Sequence, residues 1–182
     1  MTENSTTKAK ILLVDDEANI LRAISRLLKA YDITALTSAE EALLLAREIE
    51  FDVVISDFKM PGMNGVEFLI KFMKLQPSSI RMILTGYADL ECAQTAINEA
   101  QVYRFINKPW NNIEITNAVQ SGLEHQRILI ENSQLADQVR AQKKLLDEKE
   151  SLIKSLESEE PGITQVDWEE DGSIRINEDD YD

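Results

Sequence analysis

The sequence predicts an α/β fold, a five-stranded parallel sheet with helices wound on both of its faces, continued by one long helix. Short apolar runs rich in Val, Ile and Leu recur five times without the polar alternation of a half-exposed strand, the pattern of strands buried on both faces. Between the runs, apolar residues recur at helical spacing, so strand and helix alternate and right-handed crossovers join parallel strands. After residue 112, helical sequence without proline continues for roughly 45 residues, about 70 Å at 1.5 Å per residue.

Ile11, Leu12, Leu13 and Val14 form the first strand, stopped by Asp15, Asp16 and Glu17. Ile20, Leu21, Ile24, Leu27 and Leu28 then repeat at helical spacing, giving a helix that packs back onto the sheet. The second strand spans residues 33–37. Ser38 followed by Glu41 is a capping box, ahead of a helix carrying Ala42, Leu43, Leu45 and Ala46. Val53, Val54 and Ile55 make the third strand, which ends at Asp57, with Pro61, Gly62 and Gly65 as loop formers. Val66, Phe68, Leu69, Phe72 and Met73 mark the third helix, and Pro77 ends the connection before a fourth strand over residues 80–84, closed by Thr85 and Gly86. Leu90, Ala93, Ala96 and Ile97 predict a fourth helix. Residues 102–106 predict the fifth strand, with Asn107, Lys108 and Pro109 as the loop after it.

The carboxyl edge of such a sheet is where ligands bind, and the loops there supply Asp15, Asp16, Asp57, Thr85 and Lys108. Close like charges raise one another's pKa or recruit a cation, and a loop-built set of oxygen ligands with room for water suits Mg²⁺. Each residue also has a plainer reading: Asp15 or Asp16 as a helix cap, Thr85 as a turn residue, Lys108 as a solvated charge. Their joint arrival at one edge favours the site.

The formal charge of −14 disfavours direct nucleic-acid binding, which needs clusters of Lys and Arg. No apolar run approaches a membrane span, and the polar start MTENSTTKAK lacks the apolar core of a signal peptide, so a cytoplasmic protein without membrane contact is expected. The single cysteine, Cys92, fits a reducing compartment. His125, the only histidine, is expected on a solvated helix surface.

The Asp15–Asp16 pair, the stretch DFKMPGMNG starting at Asp57, LTG around Thr85 and NKP around Lys108 together resemble the receiver domain of two-component response regulators, over about residues 8–122. The resemblance implies a flavodoxin-like receiver fold in which Asp57 accepts a phosphoryl group from a sensor histidine kinase, a phosphotransfer protein or a small phosphodonor. It implies Mg²⁺ held by Asp15, Asp16, Asp57 and the backbone carbonyl of Lys59, with Lys108 as the cation that meets the phosphoryl charge. It also implies a switch in which Thr85 donates to the new phosphate and the aromatic three residues before the lysine, Phe105, turns inward. Lys59 and Tyr87 match positions that tune hydrolysis of the acyl phosphate. Without a tyrosine hydroxyl, Phe105 would act through packing alone.

Beyond the receiver, residues 123–158 are expected to continue the fifth helix as a coiled coil. His125, Asn132, Val139, Leu146 and Ile153 fall at a, and Ile128, Leu135, Gln142, Lys149 and Leu156 at d, with Leu145 and Leu152 at g. Asn132 at a favours a parallel homodimer in one register, and Gln142 and Lys149 interrupt the seam; a solvated single helix is the plainer alternative. Residues 1–7 are expected to be disordered. Residues 159–182 form an acidic tail: from Glu157 onward there are eleven acidic residues and one basic, Arg175. Within it ITQVDWEEDGSIRI reads as a β-hairpin around Asp171 and Gly172, with Trp168 as an anchor for a partner.

The leading functional expectation is a phosphorylation-controlled response regulator that acts through dimer geometry or an unnamed output partner, without an enzyme domain of its own. The alternative is the receiver and linker of a longer signalling enzyme. A haloacid dehalogenase-type phosphatase also uses an aspartate nucleophile with Mg²⁺, but wants a second acid two residues on, where Lys59 stands.

Overall fold

The computed structural model describes residues 8–86 and 99–159. The expected disordered start, the fourth helix with Tyr87 and Cys92, and the acidic tail with Trp168 lie outside the described residues.

Five parallel strands, β1 (Lys10–Val14), β2 (Asp32–Leu36), β3 (Val53–Asp57), β4 (Ile80–Gly86) and β5 (Arg104–Lys108), form one sheet in the order β2-β1-β3-β4-β5. Alternation along the strands divides the core in two. Ile11, Leu13, Val53, Ile55, Met82, Leu84 and Ile106 face α1 (Ala18–Leu27) and the start of the C-terminal helix (Asn112–Glu159). Leu12, Val14, Val54 and Ile83 face α2 (Ala39–Leu45) and α3 (Gly65–Leu75), where Phe68, Leu69 and Phe72 are fully buried. The doubly wound sheet expected from the sequence is therefore the fold.

Local chemistry sets the helix starts. The Ser38 hydroxyl oxygen accepts the Glu41 N–H at 3.2 Å and the Asn64 side chain accepts that of Glu67 at 2.9 Å, each satisfying an otherwise unpaired donor of a first turn. The Ser38 hydroxyl donates in turn to Glu40.

β5 begins and ends two residues later than the apolar run indicated. Gln101 adopts a left-handed backbone (φ 48°), and the ladder to β4 starts at the Met82–Arg104 pair, so Val102 precedes the strand while Asn107 and Lys108 belong to it. Lys108 is thus fixed by strand pairing, opposite Gly86, rather than carried on a loop. Tyr103 lies on the opposite face of the sheet from Phe105 and stacks on the exposed His125 ring, centroids 5.2 Å apart.

Gly122 lets the C-terminal helix approach β4 closely, since a Cβ there would stand 2.7 Å from Met82 Cε and 3.0 Å from Ile80 Cγ2. The chain divides into two units between Glu131 and Asn132, past residue 122. In the second unit Asn132, Leu135, Val139, Leu145, Leu146, Leu152, Ile153 and Leu156 are all exposed, as Ile128 is in the first. No helix among the described residues is long and apolar enough to cross a membrane.

Candidate functional site

Three strand ends build an acidic pocket at the carboxyl edge of the sheet. Asp57, the last residue of β3, is 6% exposed, and Asp15, immediately after β1, is 1% exposed, while Asp16 beside it is open to solvent. Oxygens of these three carboxylates lie within 4.8 Å of one another. Asp15 is held by the turn into α1: its Oδ1 accepts the Glu17 N–H at 2.8 Å, so it orders that turn although Glu17, not Asp15, occupies the N-cap position.

Lys108 closes the pocket from β5. Its ammonium lies 2.6 Å from Asp57 Oδ1 and 2.9 Å from Asp15 Oδ2, bridging the two buried acids. Burial alone would push its pKa down, but hydrogen bonds to Asp57 and Asp15 and their charges outweigh burial and raise it. From the other end of the same bridge the balance reverses. Burial of the Asp15 carboxylate outweighs its bonds to Lys108 and Glu17, and its pKa rises. The two shifts share the bridge but not the cause: the bonds and charges of the carboxylates win at Lys108, and burial wins at Asp15.

An all-oxygen set with one exposed member fits a hard cation that keeps part of its water shell, so the donor chemistry suits Mg²⁺. Asp57 Oδ2 also accepts the Lys59 N–H at 3.2 Å, which orients the loop after β3 about the carboxylate.

Thr85 is fully buried one position past Leu84, the register partner of Asp57, and its hydroxyl donates to the Gly86 carbonyl at 3.2 Å. Phe105 is half-buried on the face covered by α3. Asp15, Asp16, Asp57 and Lys108 come together, with Thr85 and Lys59 at the margin. Ile128, Asn132, Leu135, Val139, Leu146, Ile153 and Leu156 take no part in this pocket.

Two features of the site were not legible as such. Gly65 looked like a loop former, yet it opens α3 against the acceptor strand: its N–H donates to the Phe58 carbonyl, and a Cβ would fall 1.9 Å from the Asp57 carbonyl oxygen. Only glycine permits that approach. Asn107, opposite Thr85 in the ladder, carries a buried Oδ1 without a hydrogen-bond partner among the described residues. The dipeptide NK was the available signal, overshadowed by its lysine.

Residues 11–120 match the family model of the response regulator receiver domain. The chain is 34% identical over 123 residues to the hydrogenase transcriptional regulatory protein HoxA of Cupriavidus necator, covering 67% of this chain but 26% of that protein. It is 29% identical over 151 residues to the transcriptional regulatory protein FixJ of Bradyrhizobium diazoefficiens, covering 81% of this chain and 73% of FixJ. Among solved structures, the signal receiver domain of an HD domain-containing protein from Pseudomonas fluorescens Pf-5 superposes with a TM-score of 0.67 at 36% identity, covering 71% of this chain and 97% of that one. The chain thus spans about a quarter of HoxA and nearly all of an isolated receiver. It belongs to the response regulator receiver domain family, and a long C-terminal helix continues from the receiver fold.

Proposed function

We propose that Asp57 is the phosphoacceptor of this receiver, charged by a sensor histidine kinase, a phosphotransfer protein or a small phosphodonor in the cytoplasm. The observation that carries the reading is the Lys108 ammonium bridging Asp57 and Asp15 at 2.6 and 2.9 Å, inside a cluster of three carboxylates. An Asp57 carboxylate oxygen forms the new P–O bond as the donor's P–N or P–O bond breaks, and the electron pair leaves with the donor. Catalysis of such a transfer is positioning and charge stabilisation. Lys108 is already within ion-pair distance of the acceptor oxygen and meets the developing phosphoryl charge, while Thr85 re-aims its hydroxyl from Gly86 to a phosphoryl oxygen, and Phe105 repacks as the β4 end moves. Asp15, Asp16, Asp57 and the Lys59 carbonyl would hold Mg²⁺, which when bound neutralises phosphoryl oxygens. Incorporation of acid-labile phosphate in the presence of Mg²⁺ tests the reading: Asp57→Asn should abolish it, and labelling that survives the substitution contradicts it.

For output, the exposed seam of Ile128, Asn132, Leu135, Val139, Leu146, Ile153 and Leu156 supports a parallel homodimer whose geometry responds to phosphorylation and is read by an output protein. Light scattering should then show a dimer for the full chain, and a monomer with and without phosphodonor contradicts it. A second reading, the receiver and linker of a longer signalling protein, is favoured by HoxA, of which the matched segment is 26%.

A further inference from the structure

The end of the sheet opposite the acidic pocket holds a second buried cation. Arg81, the second residue of β4, is 6% exposed, and no carboxylate among the described residues pairs with it. Its guanidinium is spent on carbonyls. Nε donates to Ala100 at 2.8 Å, Nη1 to Ser79 at 2.7 Å and to Pro77 at 3.2 Å, and Nη2 reaches the Gln101 carbonyl at 3.5 Å. The first and last of these acceptors lie where the chain, having left β4 at Gly86, returns toward β5. The middle two belong to the loop of residues 77–79 that leads into β4.

That same loop is gripped from a third side. Gln126 of the C-terminal helix is only 8% exposed, and its Nε2 donates to the Ser78 carbonyl at 3.1 Å. Burying an amide beside an exposed loop has a desolvation cost that a leucine at the same place would avoid, and the Ser78 carbonyl, on an exposed residue, could be satisfied by water. A fork of donors with fixed geometry is likewise a stiff way to fill a strand position. Three polypeptide segments are therefore joined at one loop by directional bonds: the return of the β4–β5 connection, the entry to β4, and the outgoing helix. Gln101 adopts a left-handed backbone, φ 48°, at this junction.

We propose that the loop of residues 77–79, with Arg81 and Gln126, is a coupling element that passes a change at the Thr85 end of β4 to the C-terminal helix. The inference rests on Asp57 being the phosphoacceptor. When Thr85 and Gly86 move, their ladder partners Asn107 and Lys108 move with them, and β5 carries the shift back to its entry at Ala100 and Gln101, which cannot shift without pulling Arg81. Arg81 pulls the carbonyls of Pro77 and Ser79, and the Ser78 carbonyl between them carries the shift to Gln126. Gln126 falls at a b position, off the helix seam, so the element acts on the helix without being part of a dimer contact.

Hydrogen exchange read by mass spectrometry on the full chain, with Mg²⁺ and with or without beryllium fluoride as the phosphoryl stand-in, tests the coupling. In the wild type, amides at residues 57–60, 99–103 and 124–128 should all change rate on addition, the last two by at least about twofold. In Gln126→Met the response at 57–60 and 99–103 should persist and that at 124–128 should be lost. In Arg81→Met the response at 124–128 should be lost while that at 57–60 remains. A response at 124–128 that survives Gln126→Met, or a wild type that responds at 57–60 but not at 124–128, overturns the coupling alone. No response at 57–60 in the wild type overturns the phosphoacceptor reading and the coupling with it.

Discussion

Lys108 and Arg81 are both cations drawn into the same sheet, at opposite ends of neighbouring strands, and burial pushes both pKa values down. Their partners separate them. Lys108 faces two carboxylates and its pKa ends above the ordinary lysine value, whereas Arg81, among the described residues, donates to backbone carbonyls and burial leaves its pKa lowered. A charge held by charges can be re-paired by whatever brings charge of its own, such as a metal or a phosphoryl group. A charge held by four backbone carbonyls is bound to the positions of those carbonyls, and serves geometry. One end of the sheet is built for exchange and the other for fixity.

The largest test of that contrast is to remove each cation. Lys108→Met should lower Mg²⁺-dependent phosphorylation of Asp57 by about 10²–10³-fold, as for loss of one preorganised charge-stabilising donor. It should also destabilise the metal-free protein by about 3 kcal/mol, because it leaves two buried acids without their cation. Mg²⁺ should return much of that stability. Arg81→Met should cost about 1–3 kcal/mol through carbonyls left unpaired, with no recovery on adding Mg²⁺ and with phosphorylation at Asp57 retained. Urea unfolding with and without Mg²⁺ separates the two, and equal recovery in both variants would break the distinction. A comparable stability loss, about 1–3 kcal/mol, is expected of Gly65→Ala, where the added Cβ must displace the backbone at Asp57. Unlike Arg81→Met, it should also slow phosphorylation.

A smaller, sharper effect is the pH dependence. The pKa of Asp15 is raised above 3.8, so its neutral form is favoured in the folded state; that contribution is present below 3.8 and lost as pH rises through the raised value. A proton and Mg²⁺ compete for the same carboxylate. The stabilisation by Mg²⁺ should therefore fall away on acidification already above pH 3.8, in the window up to the raised pKa, and Asp15→Asn should remove that pH dependence. The pKa of Lys108 is raised above 10.5, so its contribution is intact below 10.5 and is lost as pH climbs through the raised value. The stability difference between wild type and Lys108→Met should shrink in that alkaline range, and again in acid as Asp15 takes up its proton.

The exchangeable end was legible in the sequence and the fixed end was not, for a physical reason. Asp15, Asp57, Thr85 and Lys108 each interrupt or close an apolar run, so their positions at strand ends follow from the pattern. Arg81 also interrupts a run, Ile80 to Leu84, but its partners are backbone carbonyls, which no side-chain pattern reveals. Gln126 is equally silent, an amide in a polar helix stretch whose burial depends on tertiary packing. The two-residue shift of β5 has the same origin: Val102 and Tyr103 are strand-like in composition, but the left-handed backbone at Gln101 delays the ladder to Arg104. The heptad positions from Ile128 to Leu156 are exposed, as are the other residues of that stretch, so the fold does not single out the seam.

The most direct measurement for the phosphoacceptor claim is the number of phosphoryl groups per chain, counted by intact mass at saturating phosphodonor with and without Mg²⁺. One group, acquired only with Mg²⁺ and mapped to Asp57, is the result this structure predicts. A group acquired without Mg²⁺, or one that maps to any other residue, would contradict it.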